Sequence, residues 1–224
     1  MSDVTILDGG MSRELMRVGA PFRQPEWSAL SLIESPEHVR RAHEEFARAG
    51  ARVLTTNAYA VVPFHLGEER FAADGHRLAA LAGELARSVA DEFGVQVAGC
   101  LPPALGSYRP ETVDSAAARA VLEVLVDAQA PFVDVWLAET MSSLEEARTT
   151  VEAVRANGSA APVWLAFTTD DRDGSRLRSG EPVDDAVALA ESLSVAVLAF
   201  NCSQPEALDV APVSYTHLRA HETF

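Results

Sequence analysis

The stretch AFNCSQPEAL, residues 199–208, ends an apolar run on Asn201 and Cys202 before Pro205 starts a new element. A thiol at a strand tip is either a small buried hydrophobe or a ligand for a metal ion. The chain holds one other cysteine, Cys100, closing VQVAGCL (95–101). Two carboxylates occupy comparable positions, Asp8 in VTILDGG (4–10) and Glu139 in PFVDVWLAET (131–140). Paired carboxyls can do acid–base work, as in glycoside hydrolysis. Asp8 can equally cap the turn that follows it.

The elements that must position these groups are legible as an alternation. Apolar runs at 4–10, 51–59, 95–101, 131–140, 162–168 and 194–201 read as strands, nearly continuous in their hydrophobicity, as buried parallel strands are. Between them lie helical patterns. Ser35 can cap a helix from Pro36 whose apolar face is Val39, Ala42, Phe46 and Ala49, with Gly50 as the stop. A second helix runs from about Asp74 to Phe93, and a third from an Asp114 cap through Leu125. Ser143 and Glu146 have capping-box spacing for a fourth that ends near Asn157-Gly158, and a fifth starts near Pro182. Strands alternating with helices give βαβ units and a parallel sheet. About six such units are present, against the ~250 residues of a complete eight-unit barrel.

The strand tips carry Asp8-Gly9, Thr55-Thr56-Asn57, Cys100, Glu139-Thr140, Thr168-Thr169 and Asn201-Cys202. Polar groups at the carboxyl ends suit the active face of a barrel, and they suit the ligand edge of a doubly wound sheet too. No G-x-G-x-x-G or phosphate-loop pattern follows the first strand, which favours the barrel. The fold class expected is therefore α/β, an incomplete (β/α)8 TIM-type barrel.

A formal net charge of −15 over 224 residues argues against nucleic acid and anionic membrane surfaces as partners. No apolar run approaches the ~20 residues of a membrane span. MSDVTILDGG lacks a basic segment followed by an apolar one, and two distant cysteines make no disulfide framework, so a reducing cytoplasm is expected. His38, His43 and His76 lie in helical patterns and are expected to face solvent; His65 is a candidate for the pocket. TTDDRDG (168–174) lacks the ligand spacing of a calcium loop and reads as a solvated turn.

Taken together, ILDGGMSRELMRVG (6–19), EWSALSLIESPEHVRRAHEEFARAGARVLTTNAYA (26–60), AETMSSLEEA (138–147), PVWLAFT (162–168) and AFNCSQPEAL (199–208) resemble the homocysteine S-methyltransferase family, from about residue 4 to 210. The resemblance implies a zinc-dependent (β/α)8 barrel. Three protein thiolates would hold zinc and the substrate thiol would take the fourth position, losing its proton and attacking a methyl group on a sulfonium such as S-methylmethionine to give methionine. It implies Cys202 as one zinc ligand, and no catalytic residue beyond the zinc-activated thiol. Asp8 and Glu139 would hold the ammonium of homocysteine. Thr56 and the backbone of Gly9 and Gly10 would line its pocket, and Tyr59 and Trp27 would be walls. Ala58 and Cys100 depart from the family pattern, and Cys100 is expected to serve packing alone.

The other two zinc thiolates of the family form an adjacent pair after Gly-Gly, which is absent here. The last stretch, VSYTHLRAHETF (213–224), is unlike the rest and resembles a sequencing adapter translated in frame. The expected domain is thus residues 1–212, a truncated barrel, with an artefactual tail at 213–224, and this chain is expected to be inactive and not to bind zinc tightly. Two rival readings stand beside this one: a metal-independent barrel enzyme using Asp8 and Glu139 as acid and base, and a non-catalytic relative.

Overall fold

The computed structural model describes residues 4–209. Two short helices, α1 (Met11–Arg17) and α2 (Ala29–Glu34), precede α3 (Pro36–Arg48), which feeds β1 (Val53–Thr55). A one-turn α4 (Pro63–Leu66) and the long α5 (Glu68–Phe93) lead to β2 (Gln96–Leu101). Then come α6 (Ser115–Gln129), β3 (Val135–Met141), α7 (Leu144–Asn157), β4 (Val163–Phe167), α8 (Val183–Ser192), β5 (Val197–Phe200) and the short α9 (Pro205–Leu208).

The five strands pair in parallel in the order β1-β2-β3-β4-β5. Each strand lies beside its predecessor, so the winding never reverses. A doubly wound sheet must reverse at its switch point, and the unbroken order is that of a (β/α) barrel with part of its circle present. No helix among the described residues is long and apolar enough to cross a membrane.

Period-two alternation decides which residues face the barrel interior. Val53, Ala98, Val135, Leu137 and Ala166 pack together there, while Leu54 and Val97 face outward against Ala86, Val89 and Ala90 of α5. Gly99 is outward as well. A Cβ on it would come within 2.7 Å of the Trp136 ring, so the missing side chain lets this fully buried indole lie across β2.

The helix boundaries reflect local chemistry. The Asp114 carboxylate accepts from the amides of Ala116 and Ala117, and α6 runs on to Gln129, beyond the expected Leu125. Ser143 caps α7, its Oγ accepting from Glu146 N at 3.2 Å, and Glu146 Oε2 reaches back past the N-cap to accept from Ser142 N at 2.7 Å, a capping box shifted by one residue. Ser35 stands at the N-cap of α3 but makes no capping bond, and Pro36 at N1 starts the helix without it. Pro131 and Phe132 fall in a 3-10 turn, so the strand expected from residue 131 begins, as β3, at Val135.

VTILDGG, expected as a strand, is reduced to one parallel bridge from Leu7 to Val53, supported by Arg52 N to Ile6 O at 2.7 Å and Asp8 N to Val53 O at 3.0 Å. It pairs on one side only, and Val4, Ile6 and Leu7 are exposed because nothing among the described residues covers them. Val197 of β5 is exposed in the same way at the opposite edge. The expected tail, 213–224, lies outside the described residues.

Candidate active site

The carboxyl ends of the strands open into a cavity of about 830 Å³. Asp8, Gly9, Gly10, Trp27, Thr56, Tyr59, Glu139 and Cys202, all singled out in the sequence, line it. Thr55, two residues beyond Val53, and Glu139, two beyond Leu137, are inward by alternation, and Asp8, one residue past the Leu7–Val53 bridge, is drawn to them by its hydrogen bonds to Thr55.

Asp8 is anchored to the next strand. Its two oxygens accept from Thr55 N at 2.7 Å and Thr55 Oγ1 at 2.8 Å, so it is tied across the sheet and caps no turn of its own. Burial pushes its pKa up to about 7, against the pull of the Thr55 hydrogen bonds and with a further push from the charge of Glu139. Glu139 is raised by burial too, and one hydrogen bond works the other way, from the Cys100 thiol at 3.1 Å. Cys100 is fully buried, as expected, yet its sulfur does more than pack. Burial first, then the Glu139 charge, hold the thiol well above the usual range, so it keeps its proton and donates.

A bulge sets the end of β3. Between Ala138 and Met141 the strand gains one residue on β4, whose partners are Leu165 and Phe167. Thr140 sits in this bulge with φ of 64°, a conformation a β-branched residue rarely adopts. Asn201 holds it there: Thr140 N donates to Asn201 Oδ1 at 3.1 Å and Asn201 Nδ2 to Thr140 Oγ1 at 3.1 Å. Thr140 Oγ1 also reaches Cys202 Sγ at 3.5 Å. Cys202 itself has φ of 53°, and its carbonyl accepts from Thr168 Oγ1 and from Arg178 Nη2, whose guanidinium lies 4.7 Å from the centre of the Tyr108 ring. The thiol is exposed.

The outer wall is aromatic. Trp27 meets Phe22 and His65 edge to face, with centroids 5.8 and 6.3 Å apart, and Phe64 and Tyr108 continue the wall. Burial lowers the pKa of His65, which keeps it neutral, and Tyr59 shares a 2.6 Å hydrogen bond with Ser107. Gly9 leaves room for Phe46, which a Cβ there would approach to 3.0 Å, and the Gly10 carbonyl accepts from Arg13 N and Glu14 N to start α1.

Thr56 lines the cavity with its hydroxyl spent inside the protein, donating to Gln129 Oε1 at 2.5 Å and accepting from Cys100 N at 2.9 Å, while Thr55 holds the carboxylate. Two expectations change. His43 is fully buried rather than solvated. Cys100 has the polar role just described. The acidic loop 168–174 is exposed only at its tip, Asp171 to Asp173, and is closed by Asp170 Oδ1 accepting from Arg172 N and Asp173 N, while Thr168 and Thr169 are buried.

A zinc ion on three thiolates finds one of them here, Cys202. The only other cysteine is buried and engaged with Glu139, and among the described residues no three His, Cys, Asp or Glu side chains converge as a metal requires. The donor set present does not fit the ion.

Comparison with known proteins agrees with this geometry. The profile of the family described as homocysteine S-methyltransferase matches residues 5–218. The homocysteine S-methyltransferase of Escherichia coli is 33% identical over 223 residues, covering 89% of this chain and 69% of that protein. Homocysteine S-methyltransferase 1 of Arabidopsis thaliana is 28% identical over 232 residues, 91% of this chain and 70% of that one. The crystal structure of the E. coli homocysteine methyltransferase MmuM in its metallated form superposes with a TM-score of 0.80 at 28% identity, covering 98% of this chain and 80% of that one.

Proposed function

The chain belongs to the homocysteine S-methyltransferase family, and from that membership we propose that the cavity takes L-homocysteine as the acceptor of a methyl group. The observation that carries the reading is the pair of buried carboxyls, Asp8 and Glu139, sharing one cavity with an exposed thiol. Each carboxylate raises the cost of ionising the other, and an ammonium between them relieves that cost. The Gly9–Gly10 backbone approaches the ligand without side chains in the way, and Thr56 stiffens the wall behind it.

The aromatic wall of Trp27, Tyr59 and Phe64 suits a cationic methyl donor, because a sulfonium is attracted to ring faces as an ammonium is. We take S-methylmethionine or a similar sulfonium as that donor. Transfer is then a displacement: the acceptor sulfur bonds the methyl carbon as the donor's C–S⁺ bond breaks. A neutral thioether leaves, and the acceptor's thiol proton passes to solvent. Zinc on three thiolates would supply the thiolate at neutral pH, but the ligands present do not fit it, so no step here is routed through the ion. This chain is accordingly expected to bind homocysteine and to turn it over poorly. The acid–base rival has the Asp8 pKa of about 7 in its favour, and an ammonium site accounts for the same value.

Calorimetric titration with L-homocysteine tests the reading. Below about pH 7 Asp8 is protonated and neutral, so affinity should rise between pH 6 and pH 8. Asp8→Asn and Glu139→Gln should each weaken binding about tenfold or more. Variants that bind as well as the parent would overturn it.

A further inference from the structure

We propose that Cys100 is a positioning residue of this pocket: its thiol holds the Glu139 carboxylate where that group meets the ammonium of an amino-acid ligand. The inference deepens the reading of Asp8 and Glu139 as an ammonium site and rests on it.

The placement of the sulfur is over-determined. Cys100 N donates to Thr56 Oγ1 at 2.9 Å and Cys100 O accepts from Gln129 Nε2 at 3.2 Å, while Gln129 is pinned in turn by Thr56 and by Leu125 O. All three residues of this network are buried. Gly99 on one side gives its outward space to Trp136, which fixes the face on which Cys100 emerges. Cys100 pairs with Leu137, and Glu139 follows on the same face of β3, so the thiol meets the carboxylate at 3.1 Å by register alone.

The two carboxyls are held differently. Asp8 has two strong donors from Thr55, an amide and a hydroxyl. Glu139 has one partner among the described residues, and that partner is a thiol, a weak donor. A thiol orients the carboxylate and leaves most of its acceptor capacity for a ligand, where a hydroxyl or an amide would compete with the ammonium. The groups that face Glu139 are Cys100 from β2, Asp8 from the segment before α1, and Tyr59 from the loop after β1.

The test reads the contact in the ligand-free protein first. The Glu139 carboxyl is followed by carbon-13 NMR from pH 4 to pH 9 in the parent, Cys100→Ala and Cys100→Ser, with Glu139→Gln giving the assignment. Loss of the donor should move the Glu139 midpoint to higher pH in Cys100→Ala, and the serine hydroxyl should bring it back. L-homocysteine titrated into the same proteins at pH 7 should bind about 5- to 20-fold more weakly to Cys100→Ala, with the gap narrowing as the pH is raised past the Glu139 midpoint read in each protein. A midpoint that stays put in a Cys100→Ala protein with a native amide spectrum would overturn the proposal. A shifted midpoint in a parent that binds no homocysteine would uphold the thiol–carboxylate contact and overturn the ammonium reading of the pocket.

Discussion

Both ring nitrogens of His43 lie inside the protein with no hydrogen-bond partner among the described residues, and burial drives the pKa down to about 4. The unfolded chain takes up a proton at His43 near pH 6.5, whereas the folded chain resists until about pH 4. The unfolded state therefore binds more protons in this window, and His43 costs the fold about 3 kcal/mol as pH falls through it. His43→Leu should unfold in urea at the parent's midpoint or above it at pH 7.5, and should be clearly more stable than the parent at pH 5. Equal losses in the two proteins between pH 7.5 and pH 5 would contradict this. The position was legible in the sequence: His43 falls four residues after Val39 and three before Phe46, on the apolar stripe of α3. The identity of the side chain argued for solvent, and the helical period argued correctly for the core. Thr55 was hidden by its neighbour in a similar way. Period two from the inward Val53 selects Thr55, and Thr56 turns to Gln129 instead.

Elements whose boundaries depend on nearby residues could be read from the sequence. The capping box of α7 and the Asp114 cap of α6 need only a few consecutive side chains. The bulge in β3 could not be read, because it depends on Asn201, sixty-one positions away, reaching back to hold Thr140. Asn201→Ala would leave the buried Thr140 amide without its acceptor and its strained backbone without support. The expected loss is on the order of 1–3 kcal/mol in urea unfolding, with homocysteine affinity falling as Glu139 shifts. Unchanged stability together with unchanged affinity would show that the bulge holds itself. The segment 4–10 reads as a strand by composition, but among the described residues it pairs with β1 alone and keeps one bridge.

Across the whole molecule, the order of strands and the gathering of their polar tips into one cavity were both legible, since each follows from repetition of a strand–helix unit. The uncovered edges at Ile6 and Val197 were legible too, because about six strand–helix units are too few to close a circle of eight. The count of sulfur donors is also a property of the whole chain: two cysteines, one committed to Glu139. Purified protein dialysed against a chelator should retain no stoichiometric zinc by elemental analysis. One zinc per chain surviving that treatment would mean that other side chains complete the site. The central claim, that two carboxyls at the strand tips recognise an ammonium, is tested most directly by comparing L-homocysteine with 4-sulfanylbutanoate, which lacks only the amino group. At pH 8 the account predicts that homocysteine binds at least about tenfold more tightly. Equal affinity for the two thiols would contradict it.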